Sequence, residues 1–174
     1  MRIRLPLAPT VIESLRAGME VMLTGPLYAA RDAAHRRFLL DISRGRRLPL
    51  ELKDALIYYM GPTPAPPGRP IGACGPTTSS RMDRYVAPLL ERGVKGTMGK
   101  GQRSEAVREA CRRFHAVYLI TYGGCGAYLS GFVRRAVPVG YDDLGPEAVL
   151  LLEVENFPAI VGIDVSGADF YGRR

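Results

Sequence analysis

The sequence predicts an α/β domain with a mixed central sheet flanked by helices. Three observations carry this expectation. Through the middle of the chain, short apolar runs of strand length alternate with helical patterns. The run Ala116 to Thr121 is almost continuously apolar, as in a strand buried on both faces. The chain closes with two strand-like segments in succession, Val149 to Val154 and Ala159 to Val165, around Asn156-Phe157-Pro158. A length of 174 residues suits a single domain, 1–174, with a full-sized core.

The elements follow in order. Ile3 to Leu7 reads as a short strand. Thr10 stands where it can cap a helix from Val11 to Arg16, closed by Gly18. Glu20 to Thr24 alternates as a strand does, and Gly25-Pro26 reads as a turn. Ala29 to Ser43 has a helical period, with Ala30, Ala33, Ala34, Phe38 and Ile42 roughly on one face and Gly45 as the stop. Ala55 to Met60 is a strand. Gly61 to Pro70 holds five prolines and is expected to be a surface loop rather than a linker. Ile71 to Cys74 is a short strand, and Met82 to Arg92 a helix. Val94 leads a strand into the turn Gly99-Lys100-Gly101. Ser104 caps a helix that runs to Phe114. Gly123-Gly124 turns the chain into a last helix, from about Ala127 to Arg135. No internal repeat is visible.

The bulk composition excludes several classes. Hydrophobic residues make up 47% of the chain, as in ordinary globular proteins. The apolar stretches are far shorter than a membrane span. No apolar segment follows Met1-Arg2-Ile3-Arg4, so no signal peptide is expected and the cytoplasm is the default location. The net charge of +7 fits nucleic acid, an acidic partner or anionic substrates. Its arginines are dispersed and no nucleic-acid motif accompanies them, which argues against nucleic acid. Cys74, Cys111 and Cys125 form no CxxC pair, and an odd count argues against a disulfide framework. Cys111 falls on an apolar stripe with Val107, Ala110 and Phe114 and reads as core. Metal ligation by this chain is not expected.

The most informative stretch is Gly75-Pro76-Thr77-Thr78-Ser79-Ser80-Arg81-Met82-Asp83. Four consecutive hydroxyl side chains precede an arginine and a helix. Hydroxyls and free N–H groups at a helix start suit an anion, and an arginine can grip a carboxylate through two parallel hydrogen bonds. The alternative is a plain N-cap cluster, although one helix needs only one such residue. Arg31 and Lys100 lie at further junctions between elements, where α/β folds bind ligands. Lys100 stands between two glycines, but the spacing is not that of a P-loop. An arginine at a helix start opposes the macrodipole, which hints at a function for Arg31. Asp32 is favourable there. His35 lies one turn beyond Arg31 and reads as a structural hydrogen-bonder, as does His115. There is no nucleophile elbow, HExxH, dinucleotide fingerprint or carboxylate cluster. The chain has groups to bind an acid and no evident strong electrophile.

Several segments also resemble one family, in order along the chain. The run from Leu23 to Arg37, LTGPLYAARDAAHRR, is similar to the start of the C-terminal region of class I fumarases. Gly75 to Asp83 resembles that family's GPTTSxRMD motif. The turns Gly99-Lys100-Gly101 and Tyr122-Gly123-Gly124 and the segment Val154-Glu155-Asn156-Phe157-Pro158-Ala159 match as well. Family members usually carry small apolar residues after the Gly-Gly turn, where this chain has Cys125, Gly126 and Tyr128.

The resemblance implies a swivelling β/β/α fold and the β subunit of a two-subunit hydro-lyase. The expected reaction is the reversible hydration of fumarate to (S)-malate, a step of the tricarboxylic acid cycle. L(+)-tartrate dehydratase is the runner-up, and a non-catalytic carboxylate-binding or assembly module the rival from another class. The resemblance also implies an iron–sulfur α subunit, in an α2β2 assembly, that carries a [4Fe–4S] cluster not ligated by this chain. Arg31, Arg81 and Lys100 match the family's contacts to substrate carboxylates, with Thr78 beside them. Thr77 matches the position proposed as the proton-abstracting base.

Overall fold

The computed structural model describes residues 1–172. One seven-stranded sheet organises the chain. Five strands run parallel in sequence order: β1 (Arg2–Arg4), β2 (Glu20–Ala29), β3 (Leu56–Tyr58), β4 (Gly96–Gly99) and β5 (Val117–Ile120). Two antiparallel strands complete it, β6 (Val133–Gly140) and β7 (Val149–Ile163). The sheet is therefore mixed, as expected. β7 pairs with β6 and β5 along one edge and with β2 along the other. Because β2 also pairs with β3, the strands β2-β3-β4-β5-β7 close on themselves as a barrel-like ring.

Strand alternation divides the side chains between two cores. Leu23, Leu27, Leu56, Tyr58, Val117, Leu119, Phe157 and Val161 belong to one buried cluster within the ring. Ile57, Tyr59, Tyr118 and Ile120 belong to a second, under three helices. Those helices are α2 (Asp32–Ser43), α3 (Asp83–Glu91) and α4 (Glu105–Phe114), and α3 packs against both of the others. They bring Phe38, Val86, Leu89, Val107 and Cys111 to the second core, so Cys111 is core as expected. Two short α-helices, α1 (Pro9–Ser14) and α5 (Gly126–Ser130), and three 3-10 segments, Ser79–Met82, Asp142–Glu147 and Phe170–Gly172, are also present among the described residues. No helix among the described residues is long and apolar enough to cross a membrane.

Several expectations are corrected. The turn at Gly25-Pro26 is absent, and β2 runs through it. Gly25 has φ +123, and a Cβ there would lie 2.8 Å from the Leu5 carbonyl oxygen. Pro26 lacks an N–H, and it falls where the ladder to β1 has ended at Thr24 and that to β3 has not begun at Tyr28. The two closing strands are one strand, β7. Thr24 faces two residues of it, Glu155 and Asn156, since Leu23 pairs with Phe157 and Gly25 with Val154. Asn156 takes φ +52, and its N–H donates to the Thr24 hydroxyl at 3.0 Å. This bulge shifts the phase by one residue, so Leu152 and Val154 before it and Phe157 and Ala159 after it all reach the same core.

The predicted helix to Arg135 stops at Ser130, and Val133 to Gly140 is an edge strand paired with β7 alone. Pro138 and two register shifts obscure its alternation. The helix expected from Ala29 starts at Asp32, because Ala29 ends β2. The strand expected over Ile3 to Leu7 is shorter, Arg2–Arg4. The first helix starts at Pro9, so Thr10 lies inside it instead of capping it. Ile71 to Cys74 is not a strand, though the Cys74 N–H donates to the Gly126 carbonyl at 3.1 Å. Before α3, the residues Ser79–Met82 form a 3-10 turn.

Candidate functional site

Strands β2 to β5 are parallel, so their carboxyl ends share one rim of the sheet. The residues that follow them are Ala30-Arg31, Tyr59-Met60-Gly61, Lys100 and Thr121-Tyr122-Gly123-Gly124. Loops at such a rim are where α/β sheets bind ligands. The chemistry-bearing residues singled out in the sequence thus arrive on one edge from distant parts of the chain.

The hydroxyl segment is built into this edge. The Thr77 N–H donates to the Tyr59 carbonyl at 2.7 Å. The Lys100 N–H donates to the Thr77 carbonyl at 3.2 Å, and the Ser79 N–H to the Lys100 carbonyl at 2.9 Å. Thr77 to Ser79 therefore wedges between the extensions of β3 and β4, with a parallel bridge between Thr78 and Lys100. Gly99 permits the approach: a Cβ there would lie 2.1 Å from the Ser79 hydroxyl and 3.0 Å from the Thr77 carbonyl. Thr78 holds the N-cap position of the 3-10 turn, but its side chain makes no cap hydrogen bond. Ser79 is buried and shares a 2.9 Å hydrogen bond with the Tyr118 phenol, which also donates to the Gly101 carbonyl at 2.8 Å. The cluster is thus not a plain N-cap. Thr77 is half-buried, and Thr78 and Ser80 are exposed.

Three cations border this segment. Arg31 occupies the N-cap position of α2, and its Nε–H donates to Glu147. Its guanidinium lies against Gly61: a Cβ on that glycine would be 3.0 Å from Nε and 3.1 Å from Cζ. Arg81 makes a two-bond fork with Asp32, Nε to Oδ1 at 2.9 Å and Nη2 to Oδ2 at 2.7 Å. This pair ties the hydroxyl segment to the start of α2, beside Arg31. The Lys100 stem lies over Gly123, where a Cβ would be 3.2 Å from Cδ and 3.9 Å from Nζ. Lys100 forms no salt bridge among the described residues. One connected set of contacts therefore brings Arg31, Thr77, Thr78, Arg81 and Lys100 to one rim.

A buried polar layer supports this rim from below. The Arg103 side chain is 0% exposed and donates from Nε to Asp83 Oδ1 at 2.7 Å and from Nη1 to Thr97 at 3.2 Å. Its Cζ lies 4.7 Å from the Tyr118 ring centroid and 5.4 Å from that of Tyr59. Desolvation opposes its charge, but Tyr59 and Asp83 outweigh that effect and hold the guanidinium protonated. Asp83 also accepts from the Ser104 N–H at 2.7 Å, which joins the starts of α3 and α4. The ring of His35 packs among Phe38, Tyr59 and Tyr85. Its Nδ1 lies 2.9 Å from the Arg31 carbonyl, so Nδ1 carries the proton and donates. Burial lowers its pKa to about 4, a shift opposed by the Arg31 carbonyl and aided by the Arg103 charge. His35 is thus a neutral structural donor, as expected. His115 is instead exposed, in a left-handed C-cap position, with Nδ1 2.7 Å from Glu13.

The cysteines do not converge. Cys74 lies in the ring core, Cys111 under the helices, and Cys125 is exposed. Burial pushes both inner thiols up to about 12, away from the thiolate form a metal needs. Among the described residues no three His, Cys, Asp or Glu side chains are grouped to hold a metal. These cysteines do not fit the ligation of a cluster.

Sequence reasoning missed Arg103 and Glu147. Arg103 lies two residues past the Gly-Lys-Gly turn, and its burial has no local signature. Glu147 follows Gly145-Pro146, which marks a turn but not its partner. Asp32 was read only for its favour at a helix start.

Comparisons with known proteins identify the family. The family model described as fumarase C-terminus matches residues 2–174. The chain is 42% identical over 151 residues to the aerobic class I fumarate hydratase of Salmonella typhimurium, a match covering 86% of this chain and 26% of that protein. It is 34% identical over 166 residues to the putative L(+)-tartrate dehydratase subunit beta of Methanocaldococcus jannaschii, covering 92% and 85%. With the L(+)-tartrate dehydratase subunit beta of Escherichia coli it shares 33% over 167 residues, covering 93% and 82%. The chain thus spans about a quarter of the length of the fumarate hydratases it matches and over four fifths of these β subunits.

Proposed function

The chain belongs to the fumarase C-terminus family, and from that premise we propose that it is the β subunit of a class I hydro-lyase that interconverts fumarate and (S)-malate. The observation that carries this reading is the joining of Arg31, Thr77, Arg81 and Lys100 at the carboxyl ends of parallel strands. Arg31, Arg81 and Lys100 neutralise and orient the two carboxylates of the substrate. Thr78 adds a hydroxyl at the bridge to Lys100. Thr77 Oγ1 takes the proton that leaves carbon in the dehydration direction, a role in which a hydroxyl depends on a charged neighbour.

The same reading assigns a partner α subunit, an α2β2 assembly and a [4Fe–4S] cluster on the partner. The β-subunit names of the relatives matched over 85% and 82% of their length support a partner. The exposure of Thr78, Arg81, Tyr122 and Cys125 supports a second surface over this rim. The reading also takes residues 1–174 as a single swivelling β/β/α domain, in the cytoplasm, without nucleic acid or membrane. A second reading, L(+)-tartrate dehydratase, draws on the same two β-subunit relatives.

Co-expression with an iron–sulfur α subunit, anaerobic purification and assays on both substrates test the proposal. Fumarate hydration by the pair, with none by this chain alone, is the expected result. Turnover of L(+)-tartrate in place of fumarate selects the second reading. A stable complex with dicarboxylate binding but no turnover of either points to a non-catalytic module.

A further inference from the structure

The two arginines of the rim are each held from behind by a carboxylate of the same chain. Arg81 gives Nε and Nη2 to Asp32. Arg31 gives Nε to Glu147. Asp32 is the first residue of α2, and Glu147 is the last residue of the 3-10 segment Asp142–Glu147 that leads into β7. Their side chains are only 24% and 23% exposed, less than the 54% of Arg81 and the 32% of Arg31 that they hold. The carboxylates thus sit on the inner side of each pair, and the arginines on the outer side.

A guanidinium has two edges that match a carboxylate. One is formed by Nε and one Nη, and the other by the two Nη groups. A partner at Nε fixes the rotation of the plane about its stem and leaves the end edge for a second carboxylate. Among the described residues, neither Nη of Arg31 and not Nη1 of Arg81 has a hydrogen-bond partner. Gly61 lies against the Arg31 guanidinium, where a Cβ would be 3.0 Å from Nε and 3.1 Å from Cζ, and restricts it further.

We infer that Glu147 and Asp32 are positioning residues that aim the end edges of Arg31 and Arg81 at the substrate carboxylates. The inference rests on the reading of those arginines as carboxylate-binding groups. In place of a search through rotamers, each arginine meets its ligand with its plane already set, which lowers the entropic cost of binding. The two held carboxylates also offset two of the three positive charges of Arg31, Arg81 and Lys100, so that product is not trapped.

The test uses the complex with the α subunit. KM, kcat and the unfolding midpoint are measured for Glu147→Ala, Glu147→Gln, Asp32→Ala and Asp32→Asn, with Arg31→Lys alongside. The alanine variants are expected to raise KM about tenfold while kcat falls less than about threefold. Gln and Asn keep an acceptor oxygen for the Nε–H and are expected to bring KM back to within about threefold of the parent. A lower KM in the alanine variants overturns the inference, because the carboxylates would then be competing with substrate. A lowered midpoint with unchanged KM overturns it also, since the pairs would then only be structural. Should an alanine variant not fold, the same comparison is made with Glu147→Met or Asp32→Leu, judged against the amide variants. If Arg31→Lys raises KM and Glu147→Ala does not, the positioning role alone fails. If Arg31→Lys leaves KM unmoved as well, the carboxylate reading of the site fails with it.

Discussion

The Thr77 N–H donates to the carbonyl oxygen of Tyr59 at 2.7 Å, which pairs the hydroxyl segment with the extension of β3. The backbone is held by this ladder, so the Thr77 hydroxyl is not needed to shape the loop.

Thr77→Val therefore separates chemistry from shape. If the hydroxyl accepts the proton, kcat of the αβ complex drops strongly while KM stays within a few-fold. Thr78→Val is the control. Loss of a mere cap would cost about 1 kcal/mol of stability and leave turnover unchanged. Equal loss of kcat at both positions removes any special role for Thr77.

Arg81→Lys keeps the charge but loses the planar fork to Asp32 and to a bound carboxylate. The expected drop in kcat/KM is roughly ten- to a thousandfold, the equivalent of ~1.5–4 kcal/mol of transition-state binding. Arg31→Lys is expected to behave alike. Steady-state kinetics near those of the parent for both would make the two arginines structural.

Arg103→Met removes the cation from a buried pair and leaves Asp83 at 16% exposure without it. Breaking such a pair is expected to cost about 3–5 kcal/mol. The double variant with Asp83→Asn should recover part of that loss. Urea unfolding of the isolated chain reads the effect as a lower midpoint at constant slope. A loss under about 1 kcal/mol would show that the pair contributes little.

His35 predicts a pH dependence of stability. Its pKa is lowered from 6.5 to about 4 in the folded chain, chiefly by burial. The folded state thus binds fewer protons than the unfolded one across that window. Stability is complete above about pH 6.5 and falls as the pH drops toward 4, by roughly 3 kcal/mol at the lower end. Unfolding free energies at pH 7 and pH 5 measure the slope, where ordinary carboxylates contribute least. Replacing His35 with Asn should flatten it, and replacing the exposed His115 with Asn should not. A slope that survives His35→Asn assigns the titration to another group.

The legible parts of this protein were those written in local pattern. α4 was placed to within a residue because its period, its starting Ser104 and its stripe of Val107, Ala110 and Cys111 agree. β3 and β5 were found as short apolar runs, and β4 as the short strand that ends in the Gly-Lys-Gly turn. The candidates Arg31, Thr77, Thr78, Arg81 and Lys100 stood out because each lies in a short contiguous motif. β6 was misread, since an edge strand with Pro138 and two register shifts has no clean alternation and follows directly on a helical start. The junction at Gly25-Pro26 was read as a turn because both residues favour turns. Only pairing with β7 on one edge, and the gap between β1 and β3 on the other, accommodates them in a strand.

By itself, the sequence determined the alternation of strands and helices, the burial of Cys111 and the run of hydroxyls before Arg81. Each depends on interactions within a few residues. Tertiary structure decided the closure of the sheet through β2 and β7, the single bulged course of β7 and the pairing of Arg31 with Glu147. Closure depends on which edges remain free once all strands have packed, and register on a single inserted residue at Asn156. The choice of Glu147 as partner joins residues 116 positions apart in sequence. Such pairings have no periodic signature, because what selects them is proximity in the folded chain.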